Sequence, residues 1–220
     1  LCLGACLLGM VADMFIYYIS HGASVTVMGM LGFLVYIIVL GVQSVREAKN
    51  LMDIGIQAER FEKMAYHDQL TGMYNRAAYA DYTGQASFKL NGSVVMMCDL
   101  NNLKHCNDTW GHEKGDIYIS SSADILQEVF GKVGKCYRVG GDEFCVLLRE
   151  VSTKRCEQFI EELKRKAREW NRNSTEKFEI QIACGYAVYD KKIDYDLGDT
   201  LRRADRMMYH EKFMMKQEGK

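Results

Sequence analysis

The chain has 220 residues, enough for one domain of ordinary size and a further segment. Asp13 is the only charged residue before Arg46, so all 28 basic residues and all but one of the 29 acidic residues lie in residues 46–220. That segment has no net charge and therefore no overall electric field to attract a polyanion. We expect no nucleic-acid partner, and we expect any phosphate group to be bound at a local site.

The eight cysteines form no Cys-x-x-Cys pair. Cys2 and Cys6 lie in an apolar run, and the others are scattered singly: Cys98, Cys106, Cys136, Cys145, Cys156 and Cys184. We therefore favour small buried side chains in a reducing compartment over a disulfide framework or a metal site.

Two apolar runs open the chain, at residues 1–20 and 23–45. The second has no charged residue and is long enough to cross the roughly 30 Å core of a bilayer, which takes about 20 residues. The first contains Asp13, which is costly inside a membrane unless it faces another helix or is protonated. A cleaved signal peptide is the alternative for the first run, but the basic start typical of one is missing.

Basic residues follow the second run, at Arg46, Lys49, Arg60 and Lys63, whereas His21-Gly22 between the runs carries no Lys or Arg. By the positive-inside rule, everything after residue 45 is cytoplasmic. We predict that residues 1–45 form two transmembrane helices. Because position 1 is Leu, we expect them to be the end of a truncated membrane sensor region.

Residues 46–67 are interrupted only by Gly55 and are predicted to form one linker helix. Apolar residues recur at steps of three and four, at Leu51, Ile54, Ala58, Phe61 and Ala65. This is the spacing of a coiled-coil seam, but barely two heptads long. Two interpretations stay open: a parallel two-stranded linker between two copies of the chain, or an amphipathic helix that packs on its own domain.

Helical and strand-like patterns alternate through residues 68–220, which we assign to one cytosolic domain. Residues 93–99 form an apolar run typical of a buried central strand. Strand-like runs at 135–139 and 144–148 flank a hairpin signal, and residues 178–189 alternate as a further strand. Helical patterns cover residues 116–130, 152–171 and 200–216. We predict an α/β fold with a mixed central sheet.

This topology places two carboxylates close together, Asp99 at the end of the central strand and Asp142 in the hairpin turn. Carboxylate oxygens beside Gly140 and Gly141, which let the backbone approach closely, suit Mg²⁺. On spacing alone, a plain tight turn is the simpler explanation, because Asp is common in turns.

Residues 138–144, with the sequence RVGGDEF, carry the signature string of the GGDEF, or diguanylate cyclase, family. Three more segments resemble family motifs in the same order: DQLTGMYNR at residues 68–76, DLNNLKHCNDTWGH at residues 99–112 with Gly115 and Asp116, and ADRMMY at residues 204–209 with Lys212. The resemblance covers residues 68–216. It implies a palm-like nucleotidyl-cyclase domain that condenses two GTP molecules into cyclic di-GMP and pyrophosphate. With the predicted transmembrane helices, we expect this domain on the cytoplasmic side of a bacterial inner membrane.

By this resemblance, Asp99, the Leu100 carbonyl oxygen and Asp142 hold divalent ions, Mg²⁺ or Mn²⁺. Asp142 also helps to deprotonate the attacking 3′-hydroxyl, and Glu143 adds a second carboxylate. Phosphoryl transfer depends mainly on positioning and charge neutralisation, which paired metals supply. Family members join one GTP on each of two facing chains, so the resemblance also implies a homodimer.

Asn107 and Asp116 match positions that bind guanine, whose N1–H and 2-amino donors adenine lacks on that edge. Helix capping is the structural alternative for both residues. Lys212 and Lys216, one helical turn apart, match positions that hold the β- and γ-phosphates, and Lys104 adds charge after the strand. The alternative for the lysines is a solvated surface. The family often has Arg in place of Lys216, and Lys lacks its bidentate fork.

Many family members bind their own product at an Arg-x-x-Asp motif upstream of the signature. The matching positions here are Gly131 and Gly134, so we predict a cyclase without product inhibition at that site.

Two other functions stay open. A degenerate family member would bind GTP only to regulate a partner, although such members usually lack signature residues that this chain has. A nucleotidyl cyclase or polymerase-like enzyme of the same fold would accept other bases, against which Asn107 and Asp116 argue.

Overall fold

The computed structural model describes residues 11–12, 14–19, 26–85 and 90–218. The chain divides into two compact units, Leu1–Phe61 and Glu62–Lys220. Helix α1 spans Thr26–Tyr66, so the predicted linker is helical up to residue 66.

No helix in the described part of the chain is both long enough and apolar enough to cross a membrane. The two transmembrane helices predicted within residues 1–45 are therefore not supported, since a span needs about 20 consecutive apolar residues. Most of the first run and the start of the second lie outside the described ranges.

The strands described in the second unit form one mixed sheet. They are β1 (Tyr74–Asn75), β2 (Ser93–Leu100), β3 (Gly134–Arg138), β4 (Glu143–Arg149) and β5 (Ile182–Val188). Their order across the sheet is β1-β3-β4-β2-β5. The β1–β3 pair is parallel, and the pairs β3–β4, β4–β2 and β2–β5 are antiparallel. This confirms the predicted α/β fold with a mixed sheet.

Helices cover both faces of the sheet. They are α2 (Arg76–Gly84), α3 (Leu103–Trp110), α4 (His112–Phe130), α5 (Thr153–Asn173) and α6 (Leu197–Glu218). All eight residues of β2 are buried, and its alternate side chains enter two cores because neighbouring strand residues point to opposite faces. Met96 belongs to the core that contains Leu126 of α4 and Phe159 of α5. Met97 belongs to the core that contains Met208 of α6.

The last strand is shorter than the predicted 178–189. Asn171 accepts from the Ile180 N–H at 2.8 Å and donates to the Ile180 carbonyl oxygen at 3.0 Å. Phe178 stacks on Trp170. These contacts use the backbone groups that a strand ladder would need, so β5 begins only at Ile182.

Helix α6 packs directly on β5 at Gly185. A Cβ there would lie 2.1 Å from the Met208 backbone nitrogen and 2.5 Å from the Ala204 carbonyl oxygen. Ala204, Met208 and Lys212 follow one another at four-residue steps and therefore share one face of the helix. The absence of a side chain at Gly185 thus sets how closely this face approaches the sheet.

All six described cysteines are buried and outside disulfides, which agrees with the prediction of buried thiols. Cys2 and Cys6 lie outside the described residues.

Candidate active site

The hairpin between β3 and β4 brings its turn beside the end of β2. Asp99 pairs with Glu143 in the antiparallel β2–β4 ladder. The Leu100 N–H donates to the Asp142 carbonyl oxygen at 3.0 Å, and the Val139 N–H donates to the Glu143 carbonyl oxygen at 3.0 Å. The backbone of the turn is therefore joined to the end of the strand. The structure brings together the acidic residues that the sequence placed side by side.

A salt bridge that sequence reasoning did not assign holds this turn. Arg138 donates to both carboxylate oxygens of Asp68, at 3.0 and 3.2 Å, and to the Gly141 carbonyl oxygen at 2.8 Å. Thr71 donates its N–H and its hydroxyl to the same carboxylate, at 2.9 and 2.8 Å. Burial raises the pKa of Asp68, but the hydrogen bonds of Thr71 and the charge of Arg138 outweigh it and hold the pKa below its ordinary value. Asp68 therefore anchors the turn as a carboxylate.

Asp68, Thr71 and Arg138 all stand in segments that resemble family motifs. Their presence in those motifs was the one signal that could have pointed to them, since nothing in their spacing shows that they meet.

Asp99 forms an ion pair with a lysine of α6. Its Oδ1 lies 2.6 Å from Lys212 Nζ, and the two side chains are 8% and 24% exposed. Among the described residues, this ammonium is the partner of the buried Asp99 Oδ1. Burial raises the pKa of Asp99, and the charge of Asp142 raises it further, whereas Lys212 lowers it. The net result is a pKa above the ordinary value.

Negative charge accumulates around Glu143. Burial raises the pKa of its carboxyl, and the charges of Asp142, Asp99 and Asp205 raise it further, against a lowering by Lys212. Asp205 lies on α6 and was not among the predicted site residues. Repulsion among ionised acids of this kind is relieved by a nearby cation.

In the described residues, no group of three or more His, Cys, Asp or Glu side chains is arranged to hold a metal ion. The predicted ligand set is smaller, with two carboxylates and one backbone carbonyl. Two observations fit a hard cation at this place. Among the described residues, the partner of the buried Asp99 Oδ1 is the Lys212 ammonium, itself a cation, and neighbouring acids add to the burial that raises the pKa of Asp99 and of Glu143. Oxygen ligands of this type suit Mg²⁺ or Mn²⁺.

The two residues predicted to bind guanine lie on consecutive helices, Asn107 in α3 and Asp116 in α4. Neither is a helix cap, because α3 is capped by Asn102 and α4 by Gly111. A Cβ at Gly115 would lie 1.8 Å from Asn107 Oδ1, so the amide rests directly against the α4 backbone. The capping alternative is thus wrong, and the side chain of Asp116 is exposed.

The predicted phosphate-binding lysines differ in their placement. Lys212 contacts Asp99. Lys216 lies one turn further along α6, and its charge lowers the pKa of Asp99 by less than burial, Lys212 and Asp142 change it. Lys104 is exposed in the first turn of α3. No ion pair or hydrogen bond in the described part of the chain joins Lys104 to the carboxylates.

Comparison with known proteins identifies relatives of this domain. A family model described as "Diguanylate cyclase, GGDEF domain" matches residues 65–218. The probable diguanylate cyclase DgcJ of Escherichia coli (strain K12) is 31% identical over 146 residues, which are 64% of this chain and 28% of that protein. A diguanylate cyclase of Vibrio cholerae is 28% identical over 170 residues, 74% of this chain and 51% of that protein. The chain spans about half or less of the length of these curated relatives.

Solved structures share the fold. The coiled coil and GGDEF domain of DgcB from Caulobacter crescentus, in complex with c-di-GMP, has a TM-score of 0.68 at 23% identity and covers 79% of this chain and 94% of its own. The GGDEF domain of the same protein has a TM-score of 0.60 at 26% identity, over 67% of this chain and 90% of its own.

Proposed function

The chain belongs to the family of diguanylate cyclase GGDEF domains, and from that premise we propose that it condenses two GTP molecules into cyclic di-GMP and pyrophosphate. The observation that carries the proposal is the cluster where strand β2 ends and strand β4 begins. Asp99 and Glu143 are paired across the ladder, Asp142 lies in the adjoining turn, and Lys212 is in contact with Asp99. A site with several acids and a lysine ammonium suits a metal-bound triphosphate.

Asp99, the Leu100 carbonyl oxygen and Asp142 are the groups that would hold Mg²⁺ or Mn²⁺. Such an ion would neutralise charge on the phosphate oxygens and make the attacking hydroxyl more acidic. Asp142 accepts the proton of the attacking 3′-hydroxyl, and Glu143 holds negative charge beside it. Lys212 and Lys216 bind the β- and γ-phosphates that leave as pyrophosphate, with Lys104 as a further positive charge.

Asn107 and Asp116 select guanine. The Asp116 carboxylate of α4 accepts from the N1–H and 2-amino groups. The Asn107 amide of α3 lies against Gly115, the residue before Asp116. Adenine offers no such pair of donors on that edge, so ATP would leave the carboxylate unpaired.

The reaction joins two nucleotides, so we propose that two copies of the chain face each other. Support comes from α1, where Leu51, Ile54 and Phe61 are 71%, 63% and 69% exposed. Their spacing is that of a coiled-coil seam, which a second copy would cover.

The location at a bacterial inner membrane, with residues 46–220 in the cytoplasm, stays a prediction. It rests on the uncharged run 23–45 and on the basic residues after it. Fractionation of cells that produce the whole chain tests it, because a membrane-anchored chain would stay in the membrane pellet after a high-salt wash.

Incubation of the whole purified chain with Mg²⁺ and either GTP or ATP tests the proposed activity, with products identified by mass spectrometry. Cyclic di-GMP and pyrophosphate should form from GTP and no cyclic dinucleotide from ATP. Asp142→Ala should lower turnover at least about 100-fold, which is the lower end of the rate loss expected when a general base is removed. The fold should persist, because a partly buried turn carboxylate contributes little packing.

Asp81→Ala on α2, at an exposed acid away from the cluster, is the matched control and should leave turnover unchanged. GTP binding without product would favour the regulatory module instead. An Asp142→Ala variant that keeps more than about a tenth of the activity would contradict the role of Asp142.

A further inference from the structure

Lys212 contacts a carboxylate oxygen of Asp99 that the proposed metal site would need as a ligand. Its Nζ is 2.6 Å from Oδ1, and Asp99 is only 6% exposed. Mg²⁺ binds its oxygen ligands at about 2.0–2.1 Å. An ammonium and a divalent ion on one buried carboxylate would therefore lie within a few ångströms of each other, where like charges repel strongly.

The need for a cation at this place does not depend on nucleotide. A buried carboxylate is costly when unpaired, and its neighbours Asp142 and Glu143 add negative charge. Among the described residues, Lys212 is the one cation in ion-pair contact with Asp99. In the absence of metal it offsets this charge.

Lys212 is also placed so that it can leave. The backbone of α6 is held against β5 at Gly185, so Lys212 would leave Asp99 by rotation of its side chain rather than by movement of the helix. The Lys212 side chain is 24% exposed, and a lysine ends in a flexible four-carbon stem. The ammonium can therefore turn from the carboxylate towards phosphate oxygens at the mouth of the site.

We infer that Lys212 is the resting counter-ion of Asp99, that it competes with the divalent ion for this carboxylate, and that nucleotide phosphates relieve the competition by drawing Lys212 away. This inference rests on the proposed function. It follows that the nucleotide-free protein binds the ion weakly and that the ion enters together with the triphosphate.

The test is titration of the whole chain with Mn²⁺ alone, without nucleotide, with free Mn²⁺ measured by electron paramagnetic resonance. Lys212→Gln should bind Mn²⁺ at least about tenfold more tightly than wild type, because it removes a competing charge from a buried carboxylate. Asp99→Asn should lose this binding in both backgrounds. Lys212→Arg keeps the charge and should bind as weakly as wild type.

Lys216→Gln is the matched control, because it removes the same charge one turn further along α6 without contact to Asp99. It should tighten Mn²⁺ binding clearly less than Lys212→Gln. If Lys212→Gln is too unstable to titrate, its midpoint of thermal unfolding should rise more steeply with Mn²⁺ than that of wild type.

Equal or weaker Mn²⁺ binding by Lys212→Gln overturns the inference, even if the chain makes cyclic di-GMP. So does Mn²⁺ binding that persists in Asp99→Asn, or an equal effect of Lys216→Gln. Tighter binding by Lys212→Gln in a chain that makes no product from GTP would overturn the proposed function and leave the competition standing.

Discussion

Burial and the charges of Asp142, Asp99 and Asp205 together raise the pKa of Glu143 above its ordinary value of 4.5. A carboxyl group whose pKa is raised by folding stabilises the folded state fully only below its ordinary pKa, and this contribution is lost as the pH rises through the raised value. At neutral pH the ionised Glu143 therefore lowers the free energy of unfolding of the metal-free protein.

Glu143→Gln removes this repulsion. We expect its midpoint of thermal unfolding without metal at pH 7 to exceed that of wild type by about 1–2 °C, the range for a change near the surface. The difference should shrink as the pH falls towards 4, where wild-type Glu143 is itself protonated. Glu47→Gln, at an exposed position of α1, is the matched charge control. A variant no more stable than wild type at pH 7 would contradict the prediction.

Two glycines occupy the positions at which many family members bind their product. A Cβ at Gly131 would lie 2.3 Å from Gln127 Nε2 and 2.6 Å from the Gln127 carbonyl oxygen. A Cβ at Gly134 would lie 2.6 Å from the Leu147 carbonyl oxygen. Neither position therefore has room for a side chain without a shift of its neighbours, and neither residue supplies a guanidinium or a carboxylate.

We expect cyclic di-GMP not to inhibit this chain through that site. Each missing charge-assisted hydrogen bond costs roughly 1.5–3 kcal/mol of binding, so the product should bind there orders of magnitude more weakly. Progress curves of pyrophosphate release with added cyclic di-GMP provide the measurement. Non-competitive inhibition at micromolar product would show that the prediction is wrong.

At the scale of elements, the approach of α6 to β5 sets the position of Lys212. Gly185→Ala would place a Cβ 2.1 Å from the Met208 backbone nitrogen, and a helix backbone cannot yield as a side chain does. Overpacking of this kind costs about 1–3 kcal/mol, which lowers the unfolding midpoint by roughly 2–12 °C for a chain of this size. Turnover should fall as well, because a displaced α6 carries Lys212 and Lys216 away from the phosphates that they are proposed to bind.

Gly84→Ala is the control for this change. It lies at the end of α2, with nothing within 4 Å of its Cβ position, so Gly84→Ala should leave turnover unaltered and should not lower the midpoint. Calorimetry and the GTP assay measure the two effects. A Gly185→Ala variant with wild-type stability would show that α6 adjusts without cost.

At the scale of the whole molecule, the proposed reaction needs two copies of the chain. Specific activity should therefore fall on dilution through the dimer dissociation constant, which sedimentation equilibrium measures in parallel. Ile54→Asp puts a charge into the apolar seam of α1 and should weaken the dimer at least about tenfold, since one buried unpaired charge costs several kcal/mol. Constant activity per chain far below that dissociation constant would rule out a two-chain site.

Ile56→Asp is the matched control for the seam. Ile56 lies about half a turn from Ile54 around the helix, so the same substitution there should leave the dimer unchanged. An equal effect of the two variants would show that the seam is not the contact between copies.

The sequence by itself determined the central strand, the hairpin after it and the meeting of Asp99 with the signature turn. These follow from local patterns, since an apolar run ending in Asp99 and a Gly-Gly turn between short strands leave few ways to pair. It also supplied the family, because four ordered motifs are specific. The prediction of two membrane spans rested on local hydropathy and on the basic residues that follow the second run, and the described residues do not support the spans.

Only the tertiary structure decided which charges meet. Arg138 could have paired with any of many acids, and the fold places it on Asp68. Lys212 is one of many lysines, and its contact with Asp99 depends on the absence of a side chain at Gly185, which lets one face of α6 lie close to the sheet. Charge pairs between residues far apart in the chain follow from packing, and packing depends on steric details that no short sequence pattern contains.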